Sequence, residues 1–597
     1  MTKRFIWGLC VVVNIWNVAF AQNADNPRQS YTLPLKLVPA LSGNFGELRP
    51  NHFHAGLDFK TQGSIGHPIY AFDDGWVARA AVNAYGYGLV LYVAHPSSGL
   101  TTVYAHLNAF SDSIVKEVLR YQIEHKTNNA DIMFKPDQIK VKRGQQIAKS
   151  GNTGSSGGPH LHFEIRDTQS GEYYDPMDYF KKEIKDSIAP RIRNIYLYPL
   201  GGVVGGKTRM QTAQVVALKE GGRGINKRLT AWGKIGIGLK AYDHMSGQNN
   251  IYGVKYVKLY QGDTLLYSFR QHSFKHEEHR FTNSLTDFKQ WNENKSMIMK
   301  SFREPGNYLR MIDEALNDGV VEINEERPYH FRYELQDAHG NRSTLHFTIH
   351  GKQQELPEPQ VQEGVTATHD APLFIDSLGC RFELPAYNLY TDRTLAFGIG
   401  EYHRPMRKTK EGKRIPLSTR IPCSPVYGIG DEYIPLHGYG ELRIALPDSL
   451  PVTPEKIYIA CLNKKEAALK SVLLHAEENS ATSACMQTSI RTLGKYALCI
   501  DTIAPKVTVS GTPSYRRIAF NIGDTDSDIR SWQGDIDGVW VPFDMNAQGQ
   551  VVARPETLAR MGLLYRDGLE KGKNHIVTLT ATDACGNTTT CTTQVWF

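Results

Sequence analysis

The chain has 597 residues, a formal net charge of +7 and a mean hydropathy of −0.39. That length is too great for one hydrophobic core and implies roughly three to five domains. Its 68 basic residues are interspersed among 61 acids, a mixture that favours solubility and gives no basic stripe for nucleic acid.

The first segment runs from Lys3 and Arg4 through an apolar stretch, Phe5–Val13, to Ala19-Phe20-Ala21. A basic end, a short apolar region and a small-x-small site make residues 1–21 a secretory signal peptide. The apolar region is shorter than the ~20 residues of a spanning helix, so no stable membrane span is expected after cleavage. Bulky Leu9 before Cys10 argues against lipid attachment there. Loss of Lys3 and Arg4 leaves a charge of 7 − 2 = +5. The mature chain is expected in the periplasm or cell envelope, or secreted.

Residues 30–180 carry glycine-punctuated β patterns and one helical insertion near Ser113–His125, with apolar Ile114, Val118, Leu119 and Tyr121 on one side. Three stretches here bear chemistry. In Asn51-His52-Phe53-His54-Ala55-Gly56-Leu57-Asp58-Phe59 a glycine is expected to turn the chain and bring His54 and Asp58 towards one point, and a nitrogen–carboxylate pair suits zinc. In Thr102-Val103-Tyr104-Ala105-His106-Leu107, strand alternation puts Tyr104 and His106 on one face. The third is a glycine loop running into a strand, Gly151 to Arg166. Period two there puts His160, His162 and Glu164 on one face, with Leu161, Phe163 and Ile165 on the other.

Beyond residue 185 two phrases occur twice. Asp186-Ser187-Ile188-Ala189-Pro190 returns as Asp501-Thr502-Ile503-Ala504-Pro505, and Asp337-Ala338-His339-Gly340-Asn341 returns as Asp583-Ala584-Cys585-Gly586-Asn587. They bracket 186–351 and 501–597, each with a Pro-bearing entry, a β-branched strand and an Asp-x-x-Gly-Asn turn in a final hairpin, the pattern of immunoglobulin-like sandwiches. The Gly- and Lys-rich Gly201–Arg228 is expected as an extended loop on the first of them. Residues 352–500, opened by the linker Gln353–Pro359, read as a further β-sandwich. The expected class is mainly β: residues 22–185 as a small antiparallel sheet domain, followed by sandwiches over 186–351, 352–500 and 501–597.

The motifs of the first unit resemble the lysostaphin-type, or LytM-like, zinc endopeptidases of the bacterial cell wall. The resemblance covers about 43–180 and includes Gly66-His67-Pro68-Ile69-Tyr70-Ala71, Asp74-Gly75, Tyr87-Gly88, Tyr104-Ala105-His106-Leu107, Gly151-Asn152-Thr153-Gly154 and Gly158-Pro159-His160-Leu161-His162-Phe163-Glu164. It implies His54, Asp58 and His162 as ligands of Zn2+, His106 and His160 as catalytic histidines, and peptide stems or bridges of peptidoglycan as substrate. Glu164 lies further along the strand and is expected behind the metal rather than as general base. A catalytically silent relative that binds wall peptides or a partner hydrolase is the alternative. The intact set of five residues favours the enzyme.

His52 competes with His54 as a ligand, and His67 is expected to decorate a turn. His272, His276 and His279, and the acidic run Asp524 to Asp528, complete no metal motif and are expected in solvated loops. Cys380, Cys423, Cys461, Cys485, Cys499, Cys585 and Cys591 sit in a compartment that permits disulfides, but their pairing is not readable from spacing.

Overall fold

The computed structural model describes residues 31–596 apart from 220, 357, 359–362, 410–411, 417–418, 476–483, 515, 547 and 562–571. The signal-peptide reading of 1–21, with Cys10, and Pro357 and Pro359 of the linker lie outside the described residues. The fold is mainly β, with 49% strand and 9% helix.

The first unit is built on an antiparallel sheet. Its strands run in the order Leu41–Gly43, Leu57–Lys60, His160–Asp167, Leu100–Phe110, Leu89–His95, Gly75–Val82 and Lys140–Val141. The alternation expected of the His160 strand holds: Leu161, Phe163 and Ile165 are fully buried in the core with Leu57, Phe59 and Tyr104. Burying a side chain of that size contributes about 1.5–3 kcal/mol, which fixes the register and so commits the opposite face to His160, His162 and Glu164. The helix, Asp112–His125, buries Ile114, Val118, Leu119 and Gln122 and stops at Lys126 in the left-handed region (φ 46°).

Residues 191–351 form a second sheet system folded around its own core. Its long central strand, Leu229–Tyr242, pairs with Arg191–Pro199 on one side and with Arg342–Gly351 on the other. The stretch Gly201–Arg228 is not a loop. Its strand Gln211–Ala217 pairs with Arg191–Pro199 and carries Arg223–Ile225 on its outer edge, because Ala213 reaches the core and Val215 packs against it. Two five-stranded sheets enclose a third core between Val365 and Ile500, and two four-stranded sheets a fourth between Lys506 and Trp596. Both Asp-x-x-Gly-Asn turns close hairpins, with the Asp337 and Asp583 N–H groups donating to the Asn341 and Asn587 carbonyls at 3.1 Å. All seven cysteines after residue 31 are free thiols. Among the described residues no helix is long and apolar enough to cross a membrane.

The first unit is held from two sides. Phe45, Phe53 and Ala55 belong to the core of the following sheet system, where Phe53 packs 5.5 Å from the Phe274 ring. Lys255, buried, donates to Asp175 at 2.7 Å and Asp178 at 2.9 Å. From the far end of the chain, the Trp532 carbonyl and Phe543 N–H bond to the Asn128 amide at 2.7 and 2.8 Å, and Arg554 reaches the Asn108 carbonyl at 2.5 Å.

Candidate active site and metal centre

The site lies where the strands Leu57–Lys60, His160–Asp167 and Leu100–Phe110 run side by side, with His162 opposite both Asp58 and Ala105. Gly56 permits this approach. A Cβ there would sit 2.1 Å from the Phe163 carbonyl oxygen, so the glycine serves close packing of two strands rather than the chain turn expected from sequence.

His54, Asp58 and His162 come together almost fully buried, at 2%, 5% and 5% exposure. His54 Nε2 is 2.9 Å from Asp58 Oδ1 and 3.0 Å from His162 Nδ1, and His162 Nδ1 is 2.8 Å from Asp58 Oδ1. Each ligand-type side chain is pinned from behind. His54 Nδ1 donates to the Asn44 carbonyl at 2.7 Å, which leaves Nε2 facing the triangle. His162 Nε2 donates to Glu164 Oε1 at 2.8 Å and turns Nδ1 inward. Asp58 Oδ2 accepts from Arg49 at 2.8 Å, so Oδ1 is the oxygen presented.

Burial pushes His54 down to about 4, against the pull of Asp58, so its Nε2 is bare near neutral pH. Burial also disfavours a charge on His162, but hydrogen bonds to Asp58 and Glu164 outweigh it and lift the group to about 9. One proton on His162 Nδ1 cannot relieve both contacts of the bare His54 nitrogen, with Asp58 Oδ1 and with His162. A cation between the three atoms does. A tetrahedral ion with bonds of about 2.0–2.1 Å needs donor atoms roughly 3.3 Å apart, a few tenths beyond the spacing present. The donor set therefore fits a metal cofactor.

His106 and His160 flank this triangle, their ring centroids 4.7 Å apart. His106 Nδ1 donates to the Thr153 carbonyl and His160 Nδ1 to the Gly158 carbonyl, each at 2.8 Å. Both rings therefore carry their proton on Nδ1 and keep Nε2 as a base. His160 Nε2 lies 3.6 Å from Asp58 Oδ1, outside the tight triangle. Burial lowers both histidines, His106 to about 3 with help from His160 and His162.

Tyr104 and His106 do not share a face. Tyr104 and Leu107 both enter the core, and the pairing with the Leu89–His95 strand slips at this point. His106 takes a left-handed conformation (φ 57°). That bulge turns its ring out of the core and onto the His160 side, a common use of bulges beside functional sites.

Several residues that build the site were not singled out from sequence. Asn44 and Arg49 gave no signal. Tyr87 and Thr153 stood inside the quoted motifs without a role: Tyr87 donates to Glu164 Oε1 at 2.5 Å, and Thr153 holds His106. Arg166, two residues beyond Glu164 and so on its face, donates to Glu164 Oε2 at 2.7 Å. With Glu164 at 0% exposure, burial opposes its charge, yet Arg166 and His162 hold it down at about 2. His52 is exposed, with Nδ1 on the Pro50 carbonyl and its ring beside His279, away from the triangle. His67 bonds Ser64 and Thr61 in a turn. His279 is not in a solvated loop: it packs on Tyr173 and Phe274, where Ser273–Phe274 extends the first sheet. Asp526 and Ser527 are likewise buried, and Asp524 gathers with Asp501 and Asp583.

The family model for peptidase family M23 matches residues 52–124 and 125–176. Lipoprotein NlpD of Yersinia enterocolitica is 32% identical over 117 residues, 93% of that protein and 20% of this chain. The chain belongs to peptidase family M23. Other relatives are peptidoglycan DD-endopeptidase ShyA of Vibrio cholerae, 36% identical over 153 residues (24% of this chain, 29% of that protein), and DD-carboxypeptidase/endopeptidase Mpg of Neisseria meningitidis, 32% identical over 113 residues (19% and 20%). The chain spans 19% of the length of an uncharacterized metalloprotease of Haemophilus influenzae, to which it is 38% identical over 120 residues. Among solved structures, the catalytic domain of lysostaphin from Staphylococcus simulans is 26% identical, covering 23% of this chain and 89% of that domain with a TM-score of 0.18. The M23 match ends before the sandwiches. Residues 415–501 match the model for a Zu5-like domain.

Proposed function

We propose that the chain is an exported zinc endopeptidase that hydrolyses peptide cross-links of peptidoglycan, with His54, Asp58 and His162 holding Zn2+ and His106 and His160 acting on the substrate. One observation carries this reading: all four imidazoles have one nitrogen tied to an acceptor outside the triangle, so that His54 turns a bare Nε2 and His162 its Nδ1 towards Asp58 Oδ1 while His106 and His160 keep Nε2 available as bases. The names of the relatives supply the substrate class.

When bound, zinc supplies Lewis acidity and brings the pKa of a coordinated water towards ~7. His54, His162 and Asp58 would hold it through two nitrogens and one oxygen, the three-ligand donor set of catalytic rather than structural zinc sites. Asp58 and Glu164 compensate its charge, and Glu164 fixes the His162 ring and raises its basicity. His106 and His160 hold or move a proton at Nε2, accepting it from water and returning it to the leaving amine, and their neutral state near pH 7 keeps them competent as bases. Deep burial of the triangle, against the half-buried His160, puts substrate entry on the His160 side. The sandwiches of immunoglobulin type space and brace this unit.

The test is digestion of purified murein by residues 22–597, read by mass spectrometry, with metal content measured on the same sample. Cross-link cleavage that a zinc chelator and His54→Ala both abolish supports the reading. Folded, zinc-loaded protein that cleaves nothing would instead favour a silent binding role.

A further inference from the structure

The left-handed conformation of His106 (φ 57°) has to be held in place. A residue other than glycine is strained there and keeps that conformation only where its surroundings over-determine it. Within the M23 unit, the His106 N–H donates to the Tyr87 carbonyl at 2.9 Å, and the Thr153 hydroxyl donates to the Leu107 carbonyl at 2.8 Å. Asn108, two residues on, is left over by the strand pairing. The register with Gln146–Ser150 passes from Ala109 straight to Leu107, and the register with Leu89–His95 ends at Leu107. Asn108 therefore has no opposite number in either neighbouring strand, as the extra residue of a bulge does not.

The partner it lacks comes from the far end of the chain. Arg554 donates through Nη1 to the Asn108 carbonyl at 2.5 Å and pairs through Nε with Asp544 Oδ2 at 3.2 Å. Asp544 and Arg554 stand at the two ends of one hairpin of the last sandwich, in which Asp544–Met545 pairs with Gln550–Ala553. Asn546, next in that hairpin, forms an isolated antiparallel bridge with Thr153, whose carbonyl holds His106 Nδ1. Gly151 lets the two gripped segments lie backbone to backbone, since a Cβ there would sit 2.4 Å from the Asn108 nitrogen. One hairpin thus touches both features that set the His106 ring, the bulge that turns it out and the carbonyl that orients it.

We propose that the hairpin 544–554 positions His106, with Arg554 as its principal positioning residue, so that turnover depends on the last sandwich staying docked on the M23 unit. The dependence of turnover rests on the endopeptidase reading, whereas the grip on the bulge does not. Other contacts between the same two units lie away from the bulge. Asn128 follows the helix Asp112–His125, and Arg560 donates to the exposed Asp112 at 2.6 Å. The triangle of His54, Asp58 and His162 is pinned by Asn44, Arg49 and Glu164, none of which the hairpin supports, so loss of the grip leaves metal binding intact.

The experiment uses zinc-loaded residues 22–597 and compares Arg554→Ala with Arg560→Ala. Expected in Arg554→Ala is a fall in kcat on a soluble cross-linked muropeptide of about 10–100-fold, with KM and zinc content within about twofold of wild type. Hydrogen exchange in peptides spanning 104–110 and 151–155 should be faster than in wild type. Arg554→Lys, whose ammonium still donates to a carbonyl, should recover kcat to within about threefold. Arg560→Ala should match wild type in every readout. If Arg554→Ala leaves Asp544 unpaired and does not fold, Arg554→Leu combined with Asp544→Asn makes the same comparison without the stranded charge. An unchanged kcat in Arg554→Ala overturns the proposal, as does exchange at 104–110 no faster than in Arg560→Ala, or an equal loss of kcat in Arg560→Ala. Should the wild type cleave nothing, the endopeptidase reading fails and the exchange comparison alone decides whether the hairpin holds the bulge.

Discussion

Replacing Glu164 by Gln separates a carboxylate that tunes the proposed metal ligand His162 from one that merely fills space. Glu164 is fully buried and every partner is a donor: His162 Nε2 at 2.8 Å, the Tyr87 hydroxyl at 2.5 Å and Arg166 Nε at 2.7 Å. An amide must turn its NH2 group towards one of them, leaving a donor unpaired at a cost of about 1–3 kcal/mol in stability. If the amide oxygen stays on His162, the imidazole still keeps its orientation but loses the charged acceptor that raises its basicity. Removal of such a partner weakens metal binding about 10–100-fold, equivalent to about 1.4–2.7 kcal/mol. The assay is a zinc competition titration against a chromophoric chelator on protein whose folding is checked by circular dichroism, with His162→Ala as the limit of complete loss. Folded Glu164→Gln protein that binds zinc within twofold of wild type would refute the argument that the carboxylate acts through His162.

Four further outcomes follow from the geometry. His106→Ala and His160→Ala should retain stoichiometric zinc while losing murein hydrolysis by at least about 100-fold, whereas His54→Ala and Asp58→Ala should lose both, as metal analysis paired with turnover will register. A chain truncated after residue 185 exposes Phe45, Phe53 and Ala55, which belong to the next core, and should show a lower thermal midpoint than residues 22–351 and faster exchange of the amides around His54. Asn128→Ala removes both bonds from the first unit to the Trp532 carbonyl and Phe543 N–H, a loss of about 1–3 kcal/mol that hydrogen exchange near 529–545 will report. In metal-free protein the folded state keeps His106 neutral down to about 3, while the unfolded chain takes up that proton near the ordinary value of about 6.5. Its contribution is therefore complete above pH 6.5 and is lost as pH falls from 6.5 towards 3, so denaturation midpoints of His106→Gln should decline less with acidification than those of wild type.

The donor set and its scaffold were legible in the sequence for a local reason. Alternation in a strand is fixed by the pleat, and with Leu161, Phe163 and Ile165 needing burial, His160, His162 and Glu164 had to share the other face. The position of His54 four residues before Asp58 was equally plain, as were the two Asp-x-x-Gly-Asn hairpins. What failed was the extension of strict alternation to His106, because a bulge depends on how the neighbouring strand pairs and leaves no period to read. The Gly201–Arg228 stretch looked like a loop since its glycines and lysines mask a strand whose one buried face, at Ala213 and Val215, is supplied by a sheet remote in sequence.

By itself the sequence determined which donor-bearing side chains share a strand face, since ligand chemistry belongs to residue type and strand alternation to the backbone. The tertiary structure decided which nitrogen of each histidine faces inward. That choice rests on the Asn44, Thr153 and Gly158 carbonyls and on a Glu164 held by Arg166 and Tyr87, and on an Arg49 that turns Asp58. It also decided that the segment bearing His54 is anchored by Phe53 in the neighbouring core. Orientation of a side chain is set by partners brought together through folding, and their positions along the chain carry no mark of that meeting.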